Sequence, residues 1–74
     1  MTFMMRLSLV NEGEPNIITR IGGRDETRKF LANLGLVNGT EVTVVSTING
    51  NLILNVRDSR VAIGRDMANK IMVA

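Results

Sequence analysis

Between Glu41 and Val56 apolar and polar side chains change places with a period of two. In an extended chain Val42 and Val44 then lie on one side of Glu41 to Ser46, with Thr43 and Val45 on the other. Leu52, Leu54 and Val56 likewise share one side of the run from Leu52 to Val56. Asn49-Gly50 stands between the two runs. A type I′ turn needs positive φ at both central residues, which Asn and Gly tolerate best, so this segment predicts a tight hairpin. Asp58-Ser59 is read as the next turn, leading into a strand from Arg60 to Ile63. Upstream, Leu7 to Val10 is a short apolar run that ends at a turn over Asn11-Glu12-Gly13. Asn16 to Ile21 carries Ile17, Ile18 and Ile21 and reads as a strand stopped by Gly22-Gly23.

The period changes once. Phe30, Leu31 and Leu34 form a narrow apolar stripe at helical spacing, and Phe30 is expected in the core. Asp25 is placed to cap the first turn, Glu26 to face the positive end of the dipole, and Gly35 to end the helix in a left-handed conformation with Leu36 folding back. A helix of about ten residues does not persist alone in water, so it must lie against a sheet. Asn38-Gly39 turns the chain into the hairpin, Met67-Ala68 suits a single helical turn, and Ile71 to Val73 reads as a last strand. The expected fold class is mainly β: a small SH3-like barrel of five to six short strands with one inserted short α-helix, closed so that its edges are hidden.

Composition narrows what such a barrel does. The 74 residues contain no Cys and no His. A chain this short buries only about 60% of its unfolded surface, and disulfide or zinc-cysteine reinforcement is absent, so aliphatic packing must stabilise it. Missing His and Cys also remove most catalytic triads, most general-base schemes and most transition-metal sites. The acidic residues are spread singly, and carboxylates alone suit Mg²⁺ or Ca²⁺ better than selective Fe²⁺ binding. Gly22-Gly23 lacks the Lys-Ser/Thr of a phosphate-binding loop. The expectation is therefore no enzyme, no cofactor and no metal site. The net charge is +2, with no basic run and no apolar stretch near the roughly 20 residues of a membrane span. No linker, repeat or low-complexity tract divides the chain, so it is read as one domain over 1–74 with a loose N-terminus over 1–5, Met4 or Met5 being an alternative start. Lacking Cys and any signal peptide, it is read as cytoplasmic.

Leu34-Gly35-Leu36-Val37-Asn38-Gly39 followed by Glu41-Val42-Thr43-Val44-Val45 resembles the signature of the FeoA family. The register extends to Leu9 and Gly13, to Ile18 through Gly22, to the Asn49-Gly50 hairpin, and to Val61-Ala62-Ile63, Ala68 and Ile71. The resemblance departs at Gly64, where the family pattern often has Leu after the residue matching Ile63. It implies an SH3-like domain that accompanies FeoB, a membrane ferrous-iron importer with a cytoplasmic GTP-binding domain. A related domain ends some iron-dependent repressors, and with no DNA-binding segment ahead of it this chain fits the free-standing form. Leu34, Gly35, Leu36 and Gly39 are read as a structural signature. The candidate partner-binding residues are Arg24, Arg28 and Lys29 on the helix face away from Phe30 and Leu34, and Ile48 and Asn49 at the hairpin tip.

Other readings draw on the same residues. A small nucleic-acid-binding barrel would suit the basic pI, but Phe3 and Phe30 are the only aromatic residues, and readers of single strands need stacking rings. A metal-regulator-type interaction domain shares the fold. A reader of proline-rich peptides needs an aromatic groove that this chain cannot build.

Overall fold

The computed structural model describes residues 3–74. In chain order the elements are β1 (Met5–Arg6), a 3₁₀ turn (Leu7–Leu9), β2 (Pro15–Ile21), α1 (Asp25–Asn33), β3 (Glu41–Ile48), β4 (Asn51–Val56), β5 (Ser59–Gly64), α2 (Arg65–Ala68) and β6 (Ile71–Val73). The strands form one antiparallel array in the order β1-β6-β2-β3-β4-β5. The fold is mainly β, as the alternating pattern predicts.

β2 is the corner of this array. Its first half, Pro15–Ile17, pairs with β3, and its second half, Ile18–Ile21, pairs with β6. The register slips between Ile18 and Arg20, so Thr19 is an extra residue that bends the strand from one sheet into the other. Gly39 N–H donates to the Ile18 carbonyl at 2.7 Å, and Ile18 N–H donates to that of Thr40 at 2.9 Å. These two bonds hold the α1–β3 connection beside β2.

Thirteen aliphatic side chains fill the interior, among them Leu7, Ile18, Leu31, Leu36, Val42, Leu54, Ile71 and Val73. β3, β4 and β6 supply seven of them by alternation, and no aromatic ring takes part. α1 ends in a Schellman arrangement: Leu36 N–H donates to the Leu31 carbonyl and Gly35 N–H to that of Ala32, both at 2.9 Å. Gly35 has φ +90°, and Leu31 and Leu36, the two residues this motif brings together, are both fully buried. Asn49 and Gly50 have φ +51° and +80°, as the type I′ prediction requires.

Four expectations are corrected. The barrel is not closed by strands: among the described residues β1 and β5 are edges without a ladder between them, and α2 with the 3₁₀ turn occupies that side. Ser8 Oγ donates to Asn69 Oδ1 there and ties the turn to the end of α2. Met5 belongs to β1 and pairs with Val73, so the loose end expected over 1–5 does not include it, while Met1 and Thr2 lie outside the described residues. The second hairpin turns at Arg57-Asp58, one residue earlier than Asp58-Ser59, because Val56 already pairs with Ser59. Arg24, not Asp25, is the N-cap of α1, and it makes no side-chain cap bond. Asp25 is the first helical residue, and its carboxylate accepts from Arg28 instead.

Candidate protein-recognition surface

The interior holds no chemistry to exploit. Among the described residues Thr40 is the one buried polar residue, and no buried side-chain nitrogen or oxygen lacks a partner. No group of three or more acidic residues converges on a metal-sized site among them. Among the described residues no helix is long and apolar enough to cross a membrane. What the molecule offers is its outer surface, and two of its concave regions are well defined among the described residues.

The first is a polar hollow of about 630 Å³ on the outside of β3 and β4, lined by Gly39, Thr40, Glu41, Thr43, Asn55 and Arg57. Glu41 and Arg57 bring opposite charges to it, which leaves it without a preference for either sign. The second is a groove of about 420 Å³ between α1 and β2. Arg28 and Ala32 come from the helix at i and i+4, hence from one flank. Arg20 and Ile21 come from the second half of β2, and Leu36, Val37 and Asn38 from the connection that follows α1. No carboxylate lines this groove. Asp25 pairs with Arg28, but both side chains are more than half exposed, so water weakens the pair.

Arg24, Arg28 and Lys29 are all exposed. Only Arg28 reaches the groove; Lys29 is the next residue on the helix and points about 100° away. Phe30 is a correction: it is 48% exposed and not in the core. The inward line runs through Thr27 and Leu31 of α1 and its C-cap Leu34, at i, i+4 and i+7, and Phe30 falls one step off it.

Ile48 is exposed at the hairpin tip for a reason the strand register supplies. The β3–β4 register shifts between Val44 and Ser46, making Val45 an extra residue. Val44 pairs with Leu54 on the core side, but beyond the bulge it is Thr47 that faces buried Leu52, and Ile48 faces exposed Asn51. Without the bulge, Ile48 would continue the inward set of Val42 and Val44. The tip and α1 do not form one surface. Glu41 follows the α1 connection and Ile48 lies seven residues further, roughly 20 Å along the strand.

Leu34, Gly35, Leu36 and Gly39 sit where a structural signature should, in the helix stop and the bond to Ile18. Arg20 was not among the sequence candidates. It lies eight residues before Arg28 in a different element, and the Thr19 bulge that sets its direction has no mark in the local pattern.

A model of the FeoA domain matches residues 5–74. A putative Fe(2+) transport protein A of Methanocaldococcus jannaschii is 34% identical over 70 residues, which is 95% of this chain and 85% of that protein. An Fe(2+) transport protein A/Fe(2+) transporter FeoB fusion protein of Porphyromonas gingivalis is 34% identical over 71 residues, 93% of this chain but 8% of that much longer one. Among solved structures, an iron uptake regulatory protein (FeoA) superposes with a TM-score of 0.91 at 30% identity, covering 99% of this chain and 97% of the other. A manganese-dependent transcriptional repressor shares the fold at a TM-score of 0.88 and 18% identity, over 96% of this chain and 41% of its own.

Proposed function

Because the chain belongs to the FeoA domain family, whose members are non-enzymatic accessory proteins of ferrous iron transport, we propose that it works in the cytoplasm by binding the cytoplasmic part of a FeoB-type membrane GTPase importer. The observation that carries the reading is the fusion relative, in which a domain like this one and the transporter FeoB share a single polypeptide. Two partners joined in one chain are held at high effective concentration, an arrangement that favours domains whose work is done in contact. A family of non-catalytic proteins whose representative here buries no titratable group among its described residues must act through its surface. The exposed cations Arg24, Arg28 and Lys29, and separately Ile48 and Asn49, are the proposed contacts.

Titration calorimetry of the purified chain into the importer, both as its isolated cytoplasmic portion and at full length in detergent, tests the reading. It predicts saturable binding that weakens in the double variant Arg28→Glu, Lys29→Glu and in Ile48→Asp. No heat and no complex with either form of the importer would sink it.

A further inference from the structure

We propose that the groove between α1 and β2 receives an extended acidic segment of the partner, an aliphatic side chain resting on Ile21, Ala32 and Val37 and a carboxylate held between Arg20 and Arg28. The inference rests on the accessory reading above and names the chemistry of the partner segment.

The argument is one of complementarity. Arg20 on the strand wall and Arg28 on the helix wall both line the groove, and no acidic residue does. Guanidinium groups present planar forks that match carboxylates, so two of them over one groove select an anion with directional acceptors. Ile21, Ala32 and Val37, which all keep exposed apolar surface, select against a bare inorganic anion, because only a ligand with an apolar part gains from covering them. Asn38 at the groove's end offers both a donor and an acceptor to a peptide backbone.

Shape points the same way. β2 pairs with β3 only as far as Ile17, and past the two bonds at Ile18 it is the α1–β3 connection, not a strand, that flanks it. The groove thus runs beside a strand segment with no ladder on that side, which suits an extended chain more than a helix. Its volume of about 420 Å³ has room for a few side chains and not for a folded element. No aromatic ring lines it, so neither a nucleobase nor a proline-rich stretch finds a stacking surface. Asp25 weakly occupies Arg28 in the free molecule and is the group an incoming carboxylate displaces.

The test titrates the isotope-labelled chain with synthetic peptides that tile the cytoplasmic stretches of the importer, followed by amide chemical shifts. A peptide with Asp or Glu beside Leu, Ile or Val should move the amides of Ile21, Ala32, Val37 and Asn38. Arg20→Glu should weaken that peptide by about tenfold or more, while Asp25→Asn should tighten it a few-fold by freeing Arg28. Affinity should fall as salt rises from about 50 to about 300 mM. Ala32→Phe, at an exposed position that tolerates the larger side chain, should block the groove without lowering the melting temperature, and Arg65→Glu serves as the charge control on α2. Shifts confined to Ile48 and Asn49, or a single-stranded RNA oligonucleotide outcompeting every peptide, would overturn the proposal. If the full-length importer binds the wild-type chain, Arg20→Glu and Ala32→Phe equally well, the groove is excluded and the accessory reading stands. If it binds none of them, both fall.

Discussion

Leu31 is the one fully buried residue of α1 and therefore the anchor of the wall that carries Arg28 and Ala32. Leu31→Ala removes three carbons from the core, about 2.4 kcal/mol by transfer at ~0.8 kcal/mol each. A partly relaxed cavity adds to this, for a total of about 3–4 kcal/mol. A domain of this length has about 4–11 kcal/mol in all, so the variant stays folded unless the total lies near the lower end. The melting temperature should drop by about 4–8 °C per kcal/mol lost. Phe30→Ala is the internal comparison: half of its larger ring is already in water, so it should cost about 1–1.5 kcal/mol. Urea unfolding followed by circular dichroism measures both, with the slope m checked for constancy. The order is the point. If Phe30→Ala costs more than Leu31→Ala, or Leu31→Ala costs under about 1 kcal/mol at unchanged m, α1 is not held as described and the groove has no fixed wall.

Two glycines should respond in opposite directions. Gly35→Ala forces a side chain onto φ +90° with its Cβ 3.4 Å from Val56 Cγ1, and should lose about 1–2 kcal/mol in the same unfolding assay. Gly64 has φ −69° and nothing nearer to an added Cβ than Asn51 Oδ1 at 3.8 Å, so Gly64→Ala should gain about 0.4–1 kcal/mol. Ile48→Thr, on the outward side of the β3 bulge, should leave stability within about 0.5 kcal/mol while lowering affinity for the importer; a large drop in melting temperature would place Ile48 in the core. In a gel-shift assay at low salt the chain should not retard mixed RNA and DNA, since Tyr and Trp are absent and neither concave region is lined by an aromatic ring for bases to stack on.

Much of this architecture is legible because its signals are local. Asn49-Gly50 states a turn type, Leu34-Gly35-Leu36 states a helix stop, and the two alternating runs state which side chains face inward. Each was met by the expected φ or burial. What escaped depends on pairing between distant strands. The extra residues Thr19 and Val45 show only in the register against β6 and β4, and they decide where Arg20 and Ile48 point. β1 has two residues and exists because Val73 and Met72 arrive beside it, so no window around Met5 could announce it. Phe30 was misplaced because a stripe of Phe30, Leu31 and Leu34 leaves the helix's rotation open by one residue until Thr27 and Leu31 are seen to face inward. The candidate site suffered most. Its basic helix was visible as three cations, but a groove needs a second wall, and Arg20 comes to Arg28 only through the fold.

The most direct trial of the account is retention on the importer itself. Membranes carrying the full-length importer, mixed with the purified untagged chain and pelleted, should hold the chain in proportion to the importer and release most of it in high salt. A chain that stays in the supernatant at low salt, whether or not the importer is present, would contradict the claim that this barrel exists to be bound.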